Sequence, residues 1–111
     1  MHGGEGTTCP CCGYRTLAEG WGSFQVCPIC WWEDDGQQLA NPLLRDGANS
    51  VSLAEAQLYF ISAGVSDPRF SAHVRPPAED EPDPEWRPLE NGRDMQGGPI
   101  MTAAEPYWLR T

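Results

Sequence analysis

Two short phrases constrain this chain more than all the rest of it: Cys9-Pro10-Cys11-Cys12-Gly13 and Cys27-Pro28-Ile29-Cys30. Each sets two thiols three positions apart on one tight turn, the form of a metal-binding knuckle. The turns offer four thiolates, Cys9, Cys12, Cys27 and Cys30, with fourteen residues between the second and the third. Four thiolates close a tetrahedral site around one Zn2+ and leave no position for water or substrate; iron fits the same cage.

A chain of 111 residues has room for one small domain, and a domain of that size buries a thin core unless something staples it. Metal binding to such a site is folding free energy, on the order of 10 kcal/mol in zinc-finger peptides. Five cysteines, an odd number, fit a disulfide framework poorly, and the opening Met1-His2-Gly3-Gly4-Glu5-Gly6 has neither the basic residues nor the apolar run of a secretory signal. A reducing cytoplasm is the expected compartment. No apolar stretch approaches the roughly 20 residues that span a bilayer.

The net charge is −9, and four thiolates around one divalent ion would add about −2 to it. All seven basic residues are arginine, at 15, 45, 69, 75, 87, 93 and 110, without a cluster. The electrostatic footprint of a nucleic-acid binder is missing.

The expected fold is a small α+β domain stapled by metal: a zinc-ribbon β-hairpin, one packed helix and an extended C-terminal segment. Residues 1–8 read as disordered, 9–77 as the domain and 78–111 as an acidic, proline-rich extension with an aromatic tail. Within the ribbon, Tyr14-Arg15-Thr16-Leu17 and Ser23-Phe24-Gln25-Val26 read as two strands joined by the glycine-bearing loop at 18–22. Gly13 supplies the positive φ that a knuckle needs after its second cysteine. Trp31 holds the matching place after Cys30, so the second knuckle is expected to exit differently, with Trp31 or Trp32 packing over the metal site. The helix is expected at about 53–63: Ser52 and Glu55 form a capping box, Val51 staples against Ala56, and Gly64 stops it. Leu53, Ala56, Phe60 and Ile61 are read as its buried face. A second short helical turn is expected over 67–73, ending before Pro76-Pro77.

The tail carries five acids among residues 79–85 and then Trp86, Ile100, Met101, Tyr107, Trp108 and Leu109, more apolar bulk than a spacer requires. Either it wraps back over the domain or it offers Pro106-Tyr107-Trp108-Leu109 to another protein.

By Ser52 the chain resembles the bacterial CPCC family of small cysteine-rich proteins. The residues that carry the resemblance are Cys9-Pro10-Cys11-Cys12-Gly13, then Cys27-Pro28-Ile29-Cys30-Trp31-Trp32-Glu33-Asp34-Asp35-Gly36, then Asn49-Ser50-Val51-Ser52-Leu53-Ala54-Glu55-Ala56, and Val74-Arg75-Pro76-Pro77. The resemblance implies a zinc-ribbon-like domain and no particular activity. The knuckles are also similar to those of rubredoxin in Cys12-Gly13-Tyr14 and Val26-Cys27-Pro28, although the interval between them is much shorter.

Cys11 is a surplus thiol between two ligands, whose charge suppresses its ionisation. It reads as a filler under the knuckle; the rival reading is a redox sensor whose oxidation ejects the metal. Glu33-Asp34-Asp35 could be a Mg2+ or Ca2+ site, but consecutive carboxylates converge poorly on one ion, and a cap, an arginine partner or an anchor accepting backbone N–H groups fits better. His2 and His73 are the two candidate bases; neither has a visible nucleophile beyond a remote Cys11 pairing with His73, so no enzyme is expected. Binding is the expected function, with Trp21, Trp31, Trp32, Trp86, Tyr107 and Trp108 as candidate anchors. The acidity points to a basic protein partner, for instance in an accessory or immunity-type role over a nuclease. The alternatives are rubredoxin-like electron transfer with iron in the four-cysteine site, and a nucleic-acid-binding ribbon with phosphate contacts from Arg15, Arg45, Arg69 and Arg75.

Overall fold

The computed structural model describes residues 6–90, 94 and 106–109; the expectations for residues 1–5, Ile100 and Met101 lie outside them. The two knuckles meet at the centre of the core, where Cys9, Cys11, Cys12, Cys27 and Cys30 pack with Leu17, Ile29, Trp32, Leu39, Leu53 and Ala56. Helix α1 spans Gly36–Ala40 and helix α2 spans Leu53–Ala63.

The expected hairpin does not form: the described residues contain no strand ladder, only isolated bridges. The two segments meant to pair with each other pair elsewhere. Leu17 exchanges both backbone hydrogen bonds with Thr7, at 2.7 and 3.1 Å, and Arg15 N–H donates to the Glu81 carbonyl at 2.9 Å. Phe24 N–H donates to the Asp34 carbonyl at 2.9 Å, and Asp34 N–H to Gln25 at 2.8 Å. A Cys-x-x-Cys turn already brings its own flanks together, so residues beside each knuckle find partners across it, Leu17 with Thr7 and Val26 with Glu33, while Arg15 is taken by Glu81. The loop between the two segments is held by Asp34, whose Oδ2 accepts from Gly22 N–H, Ser23 N–H and Ser23 Oγ at 2.9 to 3.1 Å. Burial pushes the Asp34 carboxyl up, against the lowering effect of those donors.

Asp35 caps α1: its Oδ1 accepts from Gln37 N–H, and its Oδ2 reaches across to Ala48 N–H at 2.9 Å. Behind this cap lies a buried amide pair. Gln38 donates through Nε2 to the carbonyls of Leu44, Asn49 and Val51, and its Oε1 accepts from the Asn49 backbone and side chain. Asn49 in turn pairs with both backbone groups of Glu33. The irregular chain from 41 to 51 is thus fixed by side chains in place of a ladder.

Helix α2 starts at Ser52, whose hydroxyl accepts from Glu55 N–H while the Glu55 carboxylate accepts from Ser52 N–H, and it ends at left-handed Gly64. Its buried residues are Leu53, Ala56 and Gln57. Ile61, expected on that face, is 72% exposed: it lies one turn beyond Gln57 at the margin of the buried stripe, past the part of the helix that the core covers, while Gln57 is buried. Beyond it comes a 3-10 turn, Pro68–Phe70.

The chain at 80–90 lies against the first knuckle. Asp83 N–H donates to the Gly13 carbonyl, and the Asp83 carboxylate accepts from Thr8 Oγ1 at 2.6 Å. Trp86 covers Gly13 so closely that a Cβ there would sit 2.6 Å from the indole ring, and Gly13 has a φ of +83°. Gly13→Ala should therefore cost about 2 kcal/mol, from left-handed strain and displacement of Trp86 together. A denaturation midpoint at saturating metal measures it; an unchanged midpoint would contradict the packing. Tyr107 and Trp108 are buried in the main core, with Trp108 edge-on to Trp21.

Candidate metal centre

The two knuckles are near copies of each other. Gly13 N–H donates to the Cys9 carbonyl at 2.9 Å and Trp31 N–H to the Cys27 carbonyl at 2.8 Å. Cys9 N–H donates to Tyr14, and Cys27 N–H to Trp32, at 2.8 and 2.9 Å. The expectation that the second knuckle exits differently is corrected: Trp31 itself adopts a left-handed φ of +70° beside the +83° of Gly13. That conformation costs a non-glycine residue roughly 1–2 kcal/mol. The Trp31 ring is stacked on His73, with centroids 5.1 Å apart, which supplies an offset that glycine would lack.

The knuckles bring the four sulfurs of Cys9, Cys12, Cys27 and Cys30 within 4.8 Å of one another, all buried. Cys9 and Cys30 are separated by 3.6 Å and Cys12 and Cys27 by 3.8 Å. Zn–S bonds of about 2.3 Å in a tetrahedron put sulfurs about 3.8 Å apart, so the spacing fits one metal ion held by thiolates. It is too long for disulfides, and all five cysteines are free. Burial pushes the Cys9 and Cys30 thiols well up. Cys27 is lowered by the surrounding thiols and by the Thr16 hydroxyl. Several thiolates side by side in an apolar core require a cation among them.

The Thr16 hydroxyl donates to Cys27 Sγ at 3.0 Å. Sequence reasoning missed this outer-shell donor, because a threonine in an expected strand carries no distinguishing signal. Such donors orient a ligand and temper its charge, so Thr16→Val should weaken metal affinity about 10-fold with the fold retained. Competition with a chromophoric chelator measures this, and equal affinities would assign Thr16 a packing role alone.

Cys11 is 1% exposed, and burial pushes its thiol up. Neither exposure nor thiolate character favours oxidation. Cys11→Ala should leave metal retention under mild peroxide unchanged; slower metal loss in the variant would support a sensor. His73 packs on Trp31 and Phe70 at the surface, while Cys11 lies in the core, so the two are not brought together as a pair. Of Glu33-Asp34-Asp35, the last two are committed to backbone N–H groups, which leaves no converging carboxylates for Mg2+ or Ca2+.

Among the candidate anchors, Trp32, Tyr107 and Trp108 are buried and face the core. Trp21 and Trp86 lean on it half-buried, donating through their indole N–H groups to the carbonyls of Thr8 and Pro10. Trp31 is half-buried under His73. The exposed large apolar side chains among the described residues are Phe24, Val26 and Leu43, Leu58, Tyr59 and Ile61 of α2, and Leu109.

A second missed residue is Gln57. Its Nε2 donates to the Pro10 carbonyl in the first knuckle and to the Tyr107 hydroxyl, and its Oε1 accepts from Leu89 N–H. Tyr107 donates onward to the Arg87 carbonyl. Burial raises the Tyr107 hydroxyl above the ordinary tyrosine range.

A compact domain built around four converging, buried cysteine sulfurs defines a class of protein with one closed, four-cysteine metal site. The family model for cysteine-rich CPCC proteins matches residues 7–81, and the chain belongs to that family. No curated protein matches the chain.

Proposed function

We propose that the chain is a non-catalytic, zinc-binding protein-interaction module of the cytoplasm, and that its partner is a protein with a basic surface. The supporting observation is the closure of the metal centre. Cys9, Cys27 and Cys30 are 0% exposed and Cys12 6%, so a metal with these four ligands has no coordination position for substrate and acts by holding the surface in shape. An all-thiolate tetrahedron suits Zn2+, and iron in its place would open the electron-transfer reading.

Charge supports the choice of partner. Each arginine among those proposed for phosphate contacts pairs with a carboxylate: Arg15 with Asp83, Arg45 with Glu55, Arg69 with Asp67 and Arg75 with Asp80, at 2.8 to 3.5 Å. Arg87 pairs with Asp94 at 2.7 Å. With these cations engaged and a net charge of −9, a phosphate backbone is repelled and a basic protein attracted. An accessory or immunity-type role, covering the basic surface of a nuclease, is the concrete form of this reading.

Two measurements test it. Elemental analysis of protein purified without chelator should find one equivalent of zinc, and strong visible absorption would indicate iron instead. A pull-down from the native host should recover a stoichiometric basic protein that dissociates as salt rises. Salt-insensitive association, or no stoichiometric partner, would count against the role.

A further inference from the structure

We propose that residues 83–89, together with Tyr107 and Trp108, form a strap that has to lift from the first knuckle before the metal can leave, so that the strap sets how slowly this centre releases its ion. The inference rests on the four-cysteine centre and not on the choice of partner. The two knuckles are covered differently. Over the second, residues within the family-matched stretch close the site: Trp31 stacks on His73, and Ser66 N–H donates to the Cys30 carbonyl at 2.7 Å. Over the first, the cover comes from residues beyond that stretch, which ends at residue 81.

Asp83 N–H donates to the Gly13 carbonyl at 2.9 Å, and the Trp86 ring lies against the same residue where a Cβ would stand. Trp86 Nε1 donates to the Pro10 carbonyl at 3.1 Å, while Gln57 Nε2 donates to that carbonyl at 3.0 Å and to the Tyr107 hydroxyl at 2.9 Å. Thr8 is reached from both pieces: its hydroxyl donates to Asp83, and its carbonyl accepts from Trp21, to whose ring Trp108 stands edge-on. The two pieces also hold each other. The Tyr107 hydroxyl donates to the Arg87 carbonyl, and the Arg87 guanidinium lies 5.3 Å from the centroid of the Tyr107 ring. Thr8, Pro10 and Gly13 are therefore all engaged, and these are residues that flank or separate the ligands Cys9 and Cys12.

A closed tetrahedral site offers an incoming ligand no open position, so release begins with the exposure of a bound sulfur. Cys12 is 6% exposed where the other three ligands are 0%, and it adjoins Gly13, the residue on which Trp86 lies. The strap is held lightly for a cover. Residues 83–89 contain no helix and no strand; 84, 85 and 88 are exposed, and 83, 86, 87 and 89 are half-buried. Segments held by a few hydrogen bonds and half-buried side chains open at lower free energy than the core. When such opening is fast relative to the step it permits, the rate of that step follows the open fraction. A tight strap thus makes the ion a retained one, suited to shaping the fold and unsuited to delivery to another protein.

The test uses the full chain loaded with Zn2+ and mixed with an excess of a chromophoric chelator, whose colour gives the rate of release. Trp86→Ala should release zinc about tenfold faster, and Tyr107→Phe, which removes the hydroxyl between Gln57 and Arg87, about fivefold faster. Hydrogen exchange read in parallel should show the amides of Asp83 and Leu89, which donate to Gly13 and to Gln57, accelerated by the same factors while the amides of α2 hold. Tyr107→Phe alone carries the test if Trp86→Ala does not fold. Faster exchange at Asp83 and Leu89 with unchanged zinc release would overturn the strap. So would release that accelerates only in step with exchange throughout α2, which is a loosening of the whole core. Both results leave the metal centre standing, whereas a chain that takes up no zinc would overturn the metal-centre reading and the strap with it.

Discussion

Stripping the metal with a chelator, or replacing Cys27 by serine, should abolish the folded state. The described chain has one helix of 11 residues, one of 5 and no strand ladder, so little regular structure stands without the core. The four candidate ligands lie at the middle of that core. Metal binding to such sites contributes on the order of 10 kcal/mol, as much as the whole stability of a typical domain. Cys27 is the most consequential ligand to replace, because it also receives the Thr16 hydroxyl. Tryptophan fluorescence and near-ultraviolet circular dichroism should collapse together in a chelator titration and return on adding Zn2+. Folded dispersion of the NMR spectrum in excess chelator would show that the metal is dispensable. Cys11→Ala is the matched control and should leave the metal and the fold in place.

The second large effect is expected from Gln38→Ala, with zinc saturating so that the metal term is constant. Gln38 is fully buried, and its amide serves the carbonyls of Leu44, Asn49 and Val51 and both donors of Asn49. An unpartnered buried group costs about 1–3 kcal/mol. Several are orphaned at once, some of which water will reach, so the loss should be roughly 3–5 kcal/mol. The urea midpoint gives the magnitude, and hydrogen exchange should show protection lost first over residues 44–51. A loss below about 1 kcal/mol would mean that solvent already serves these groups.

The elements legible in the sequence are those written in local chemistry. The cysteine spacing specified the metal centre, because two turns with thiols three apart have few other uses. Ser52, Glu55 and Gly64 marked α2 for the same reason: each acts on backbone groups within one turn of itself. What could not be read depends on distant partners. Residues 14–17 and 23–26 had suitable composition for strands, but composition does not say which segment a strand faces; each knuckle closed on its own flanks instead. Gln38, Asn49 and Gln57 look like surface amides until the carbonyls they serve are known. Ile61 was assigned inward from its spacing to Leu53 and Ala56, but spacing does not say how far along the helix the core reaches: Gln57 meets Pro10, and Ile61 one turn on is exposed. Of the rings read as binding anchors, Trp32, Tyr107 and Trp108 are buried, since a domain with so little regular structure fills its core with large rings, and Trp21, Trp31 and Trp86 are half-buried.

The carbonyl oxygen of Pro10, inside the first knuckle, accepts both from Gln57 Nε2 and from Trp86 Nε1, and Gln57 also holds the hydroxyl of Tyr107. Residues translated early, midway and late thus converge on a single backbone group. The two knuckles can bring their thiols together once residue 30 has left the ribosome, but the scaffold around Pro10 is complete only when Tyr107 follows. During synthesis the four sulfurs can therefore converge before the groups that cover them are present.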